Sequence, residues 1–204
     1  MKFSRFIGAY LLFSAITSGA YYALNYSSGA SELLWYCNVA LLVLSAAFFI
    51  NSSVLATAVL ICAIPAQFFW IVGNLFYLAG GEPFGRFRWL LNEMSGLGIF
   101  FELNYHFAVF PASIYAVWKY GYHRHGFRAA VLIFISLLIL SRLLTKPEHN
   151  INCMFYPCDV TYTEAVVERF GLRYTAWRCG YFAFFTCLIH LVLLKILPDR
   201  FKTS

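Results

Sequence analysis

Read along the chain, the apolar positions gather into six long runs separated by shorter polar stretches. The runs cover roughly residues 6–24, 33–50, 54–78, 97–117, 127–144 and 174–197. A helix crossing a hydrocarbon core of ~30 Å needs about 20 mainly apolar residues, and each run is long enough for that. A lipid-facing open sheet is excluded, because its edge amides would have no partners. The pattern predicts an all-α membrane bundle of six transmembrane helices, with residues 1–204 forming a single integral-membrane domain. Pro65 and Pro111 fall inside runs, a position tolerated where neighbouring helices or polar side chains satisfy the freed carbonyl.

The connections are uneven. Asn51-Ser52-Ser53 is so short that the second and third helices are expected to form a tight antiparallel hairpin. Gly80-Gly81-Glu82-Pro83, followed by Arg86, Arg88 and Trp89, predicts a turn and then an interfacial helix. The segment from Thr145 to Arg173 is the longest piece outside the runs, and no internal repeat or low-complexity tract is present.

Composition agrees with the pattern. Charged residues are 12% of the chain, apolar and aromatic residues 61%, and the mean hydropathy is +0.70. So few charges could not cover the surface of a soluble fold of this size. Disorder, a disulfide-stapled miniprotein and an ordinary soluble enzyme are excluded. The net charge of +6 argues for no nucleic-acid partner, because membrane proteins concentrate Lys and Arg on the cytoplasmic side.

An even number of spans puts both termini on one side. That side carries Lys2, Arg5, Lys119, Arg124, Arg128, Lys195, Arg200 and Lys202 against the single acid Asp199, a net +7. The other side carries the remaining basic and acidic residues, a net −1. Both termini are therefore expected in the cytoplasm, with the purely basic loop from Lys119 to Arg128 as the main argument. A competing reading makes Lys2, Arg5 and the apolar run up to Ser18-Gly19-Ala20 a cleaved signal peptide. The run continues past that point to Leu24, which favours a span.

Polar residues inside spans are costly and mark functional candidates. At 1.5 Å per residue, Cys37 and Asn38 lie roughly 6–8 Å below the outer rim. Asn74 lies about 6 Å down and Gln67 roughly 16 Å, while Glu102, Asn104 and His106 fall at roughly 7–14 Å. The cytoplasmic halves of these helices are almost purely apolar. The polar set describes a cavity opening outward, with Glu148-His149-Asn150-Ile151-Asn152 as its lid. Each candidate also has a bland reading. A cysteine in a membrane helix is often an inert small hydrophobe, a lone His190 is a helix–helix hydrogen-bond partner, and His123 and His125 belong to a solvated basic patch.

A thiol with an imidazole is the minimal set for nucleophilic acyl transfer, because the thiolate reacts and the imidazole can take its proton. Cys37 and His106 are that pair, distant in sequence but at similar depth. The competing chemistry is metal. Glu102 and His106 share one helix face at i and i+4, and with Glu148 or His149 they match a zinc set of histidine and carboxylate. Cys153-x4-Cys158 has no second pair at ligand spacing. It reads as a disulfide or as two unrelated thiols, and Cys179 could partner either one.

Three stretches resemble a superfamily of six-span membrane enzymes that includes the androgen-induced hydrolases of fatty-acid esters of hydroxy fatty acids, a vertebrate phospholipid acyltransferase and small bacterial relatives. They are Trp35-Tyr36-Cys37-Asn38-Val39-Ala40-Leu41-Leu42; His106-Phe107-Ala108-Val109-Phe110-Pro111 with Trp118-Lys119-Tyr120-Gly121 and Phe127-Arg128; and Glu148-His149-Asn150-Ile151-Asn152-Cys153-Met154-Phe155-Tyr156-Pro157. They run in the same order as in that family and span roughly residues 32 to 158. The resemblance implies a nucleophile at Cys37, where relatives carry Thr or Cys, and a second catalytic residue at His106. It also implies a bacterial inner (plasma) membrane location. Asn38 departs from the pattern, since bacterial relatives often have Asp there.

The sequence thus points first to an integral-membrane lipid hydrolase or acyltransferase acting on fatty-acyl esters. Cys37 attacks, His106 serves as base and then acid, and Asn38 or Asn74 is the expected oxyanion donor. Glu102, Asn104 and Asn152 complete the supporting or substrate-binding set. The expected partner is a membrane lipid, and no cofactor or bound metal is expected under this reading. Two rivals stand beside it: a metal-dependent lipid amidase or esterase built on Glu102 and His106, and a non-enzymatic transporter or assembly factor whose outer cavity binds a ligand. The oligomeric state stays open.

Overall fold

The six apolar runs become six α-helices: α1 Lys2–Asn25, α2 Tyr36–Ile50, α3 Ser53–Leu78, α4 Gly96–Tyr120, α5 Gly126–Leu144 and α6 Glu164–Ile196. The structure, a computed structural model, describes residues 2–26, 28–80, 96–157, 162–197 and 202–203, excluding the side chains at 66, 68–70, 73–74, 78, 102, 105 and 202–203. The expected turn and interfacial helix between Gly80 and Gly96 fall on 81–95, outside the described residues. The fold is mostly helical. Among the described residues, Lys2–Asn25, Gly126–Leu144 and Glu164–Ile196 are each long and apolar enough to cross a membrane.

Two of the helix boundaries that differ from the hydropathy pattern do so for a backbone reason. The second helix starts at Tyr36, because Gly29–Leu34 forms a 3-10 turn and Trp35 is extended (φ −61°, ψ 137°). The last helix begins earlier, at Glu164, and breaks at Gly171, whose φ of 49° and ψ of −156° are open only to glycine. The expected α2–α3 hairpin is made by Asn51 in the left-handed region (φ 54°) and by Ser52, whose Oγ accepts from the Leu55 N–H at 3.2 Å. That bond caps one of the orphan donors of α3.

The packing follows small and apolar stripes. Ser4, Gly8, Leu11, Ala15, Ser18, Gly19 and Tyr22 bury one face of α1, which packs on α2. A Cβ on Gly8 would sit 3.1 Å from that of Phe48, and the Gly8 carbonyl accepts from Ser45 Oγ at 2.8 Å. Small residues allow such close approach where burial in lipid supplies little force between helices. Leu41, Leu44, Phe48, Ile61, Val109 and Leu138 fill the centre. The outward faces stay apolar, as at Phe13, Leu132, Trp177, Phe184 and Leu191. A continuous apolar exterior is the surface that lipid solvates.

Both described chain ends gather at one end of the bundle. Ser4 Oγ accepts from the Lys119 ammonium, and Thr57 Oγ1, next to the α2–α3 hairpin, accepts from the His123 N–H at 2.9 Å. Lys202–Thr203 pairs in parallel with Tyr122–His123. At this end the His125 imidazole is held below its ordinary pKa, first by desolvation and then by Arg128, Arg124 and His123. The start of α2 and the loop 147–157 occupy the opposite end.

Candidate functional site

The loop between α5 and α6 is held in an unusual backbone. Asn150 (φ 42°), Asn152 (φ 55°) and Cys153 (φ 54°) are all left-handed. Asn adopts this region more readily than most residues because its short amide bonds locally. Asn150 does so: Oδ1 accepts from the Phe155 N–H at 3.0 Å and the Tyr156 N–H at 3.4 Å, and Nδ2 donates to the Tyr156 carbonyl at 2.9 Å. Burial raises the Tyr156 hydroxyl pKa above its ordinary value, with Tyr162 and Glu148 adding to it. Cys153 is disulfide-bonded, whereas Cys179 is a thiol. Cys158, the other half of the expected pair, lies outside the described residues.

Asn152 joins this loop to the helix that carries the candidate nucleophile. Its Oδ1 accepts from the Tyr36 N–H at 2.9 Å, and its Nδ2 donates to the Leu34 carbonyl at 2.6 Å and to Ser141 Oγ at 2.9 Å. The first N–H groups of a helix have no partner within it, so Asn152 caps α2 across more than a hundred residues of sequence. Cys37 is the second residue of α2 and is buried. At a helix N-terminus the backbone dipole favours negative charge, the form a reacting thiol must take.

Asn38 follows in the same turn and is 3% exposed. Its Nδ2 donates to the Glu32 carbonyl at 2.8 Å, while its buried Oδ1 has no hydrogen-bond partner. The carbonyl of Glu32 fixes which end of the amide is which, since only NH2 can donate to it. What its Oδ1 lacks is a donor. Its NH2 keeps a second N–H beside the one given to Glu32, so the amide has both an open acceptor and a further donor to offer.

His106 lies on the inward stripe of α4 with Val109, Ser113 and Ala116, and it is 7% exposed. α4 packs on α2, and the Phe48 ring stacks on Tyr115 at 6.1 Å. Counting back along these parallel helices from that stack brings Cys37 and His106 to the same level within about 3 Å of rise. The helices are thus brought together with both residues buried at one depth. Asn104 does not join them. It accepts from the Tyr10 hydroxyl and donates to Ser14 Oγ at 3.2 Å, so it ties α4 to α1.

The side chains of Asn74 and Glu102 lie outside the described residues. Among the described residues, no three His, Cys, Asp or Glu side chains gather as a metal site. His149 stands in the loop with a buried, unpartnered Nδ1. The sequence assigned no individual role to Tyr36, Ser141 or Asn150, although Tyr36 and Asn150 stand in the motifs themselves. Tyr36 Oη reaches the Val59 carbonyl at 3.3 Å, and its ring packs on Phe134 at 5.8 Å, which seats the first turn of α2 against α3 and α5. Only the Asn-x-Asn spacing at Asn150 and Asn152 hinted at paired left-handed positions. The chain matches no family model, no curated protein and no solved structure.

Proposed function

We propose that the chain is an integral-membrane acyl hydrolase or acyltransferase working through Cys37 and His106. The observation that carries this reading is the burial of both residues at a common level on packed helices, with Cys37 in the first turn of α2. The resemblance of the three motifs to six-span lipid enzymes supports it independently.

In this mechanism His106 accepts the Cys37 proton as sulfur attacks the ester carbonyl of a fatty-acyl lipid. The tetrahedral intermediate collapses to a thioester, and the leaving alcohol takes that proton from His106. Water or a second lipid alcohol then gives its proton to His106 and attacks the thioester, which releases the acid or a new ester and restores the thiol. Asn38, the residue after Cys37, has a second amide N–H to offer the oxyanion. The acyl chain lies among apolar side chains between helices, and the head group meets the loop 147–157.

The test is trapping. Wild-type protein treated with an activated fatty-acyl ester should gain the mass of one acyl group at Cys37, and neutral hydroxylamine should remove it. Cys37→Ala should gain none. Acylation elsewhere, with Cys37 unmodified, would end this reading.

The membrane arrangement belongs to the same proposal. Six spans, with both termini cytoplasmic in a bacterial inner membrane, fit the gathering of both described chain ends and the basic loop at one end. A tag at Ser204 should be reachable only from the cytoplasm. An impermeant label should reach a cysteine placed at Lys146 from outside. A tag exposed to the exterior would reverse the sidedness and close the outward cavity.

A further inference from the structure

Arg142 and Arg178 sit in apolar helices at the end of the bundle that carries Cys37. Arg142 Nη1 and Arg178 Nε are buried and have no hydrogen-bond partner. Neither guanidinium has a carboxylate within salt-bridge distance among the described residues. Both side chains are half-buried; arginine keeps its charge in proteins, and a charged donor closed off from water is costly until it finds an acceptor. Two local features answer part of that need for Arg142. It stands in the last turn of α5, where the helix dipole is negative, and its guanidinium lies 4.2 Å from the centre of the Phe155 ring. Both features leave Nη1 without an acceptor.

The packing puts the two arginines in one region. Phe127 stacks on His190 at 5.3 Å, and Phe134 stacks on Phe182 at 3.3 Å, so α5 and α6 run antiparallel in a fixed register. Continued for two more turns, that register brings Arg142 level with residue 174 and Arg178 about one turn, or ~6 Å, below it. Thr175 Oγ1 donates to the Met154 carbonyl at 3.0 Å, which clamps α6 to the loop beneath Arg142. Arg178 shares that face of α6, three residues on. The neighbouring residue Ser141 bonds Asn152, the cap of the Cys37 helix.

We infer that Arg142 and Arg178 together bind a phosphate group, supplied by a lipid head group or by free phosphate. A planar guanidinium presents parallel N–H donors that match phosphate oxygens, and charge-assisted bonds of this kind are the strong ones. Stacking on Phe155 holds the plane of Arg142, so its donor edge is preset. The surrounding Leu143, Leu144 and Leu172 are exposed and apolar, a setting suited to acyl chains carried by the same ligand. The inference rests on the reading of this end as a lipid site and names its substrate class as phosphate-bearing lipids.

The experiment uses full-length Cys37→Ala protein in detergent, so binding is read without turnover. The probes are a short-chain phosphatidic acid, the matching diacylglycerol and inorganic phosphate. Phosphatidic acid should bind about tenfold or more tightly than the diacylglycerol, the scale of one charge-assisted hydrogen bond. Arg142→Gln and Arg178→Gln should each reduce that preference without changing diacylglycerol binding. Arg142→Lys should restore only part of it, since it keeps the charge and loses the fork. Competition by millimolar inorganic phosphate would assign a soluble anion as the ligand, and its absence would assign the lipid head group. Equal binding of the two lipids, or equal weakening of both by Arg→Gln, would overturn the site. Phosphate indifference together with acylation of Cys37 removes the arginine site alone. Phosphate preference without acylation removes the acyl-transfer reading alone.

Discussion

Cys37→Ala is expected to lower turnover of a fatty-acyl ester by about 10^3-fold or more, and His106→Ala and the double variant should fall to the same level. A nucleophile and its base act as one unit, so removing the second after the first costs little more. Cys37→Ser should also be poor, because a hydroxyl needs more activation than a thiol. None of these changes should prevent insertion, as each removes little volume from a bundle centred on Leu41, Leu44, Phe48 and Leu138. Initial rates on mixed micelles, compared at equal amounts of folded protein, provide the measurement. Glu102→Gln separates the chemistries: it should be mild under the thiol mechanism and abolishing under the metal one. Full activity in Cys37→Ala beside a dead Glu102→Gln would replace the thiol mechanism with the metal one.

The depth of the polar residues was legible in the sequence, and their direction around each helix was not. Rise per residue converts sequence position into depth, which put Cys37 at roughly 6 Å and His106 at roughly 14 Å in the same outer half, while the Phe48–Tyr115 stack brings them within about 3 Å of rise. Asn104, two residues from His106, shares that depth but faces α1, where Tyr10 and Ser14 take up its amide. Residues two apart on a helix point to different sides, and hydropathy carries no information about which side meets which neighbour. The start of α2 was hidden for a related reason. Leu33 and Leu34 are as apolar as any helical residue, yet they belong to a 3-10 turn whose geometry is set from afar by Asn152. The break in α6 rests on one glycine whose positive φ has no signature beyond the residue itself.

Asn152→Ala is expected to be the most destabilising single change in the region, by about 2–5 kcal/mol. The side chain makes three bonds, to the Tyr36 N–H, the Leu34 carbonyl and Ser141 Oγ. Removing it leaves the buried Tyr36 N–H without a partner, at about 1–3 kcal/mol, whereas the Leu34 carbonyl is part-buried and Ser141 Oγ keeps its bond to the Leu137 carbonyl. Alanine at φ 55° adds about 1–2 kcal/mol of backbone cost that asparagine partly escapes. Asn152→Gly separates the two contributions, because it loses the same bonds and keeps the left-handed backbone at no steric cost. Thermal unfolding in detergent should therefore rank wild type above Asn152→Gly and Asn152→Gly above Asn152→Ala. The drop from wild type to alanine should be about 5–15 °C for a chain of this size. Activity should fall at temperatures where both variants remain folded, since the uncapped first turn of α2 carries Cys37. Melting within about 2 °C of wild type for both variants would show that Asn152 is not the cap of this helix. A drop in melting with undiminished activity would detach the cap from the chemistry proposed at Cys37.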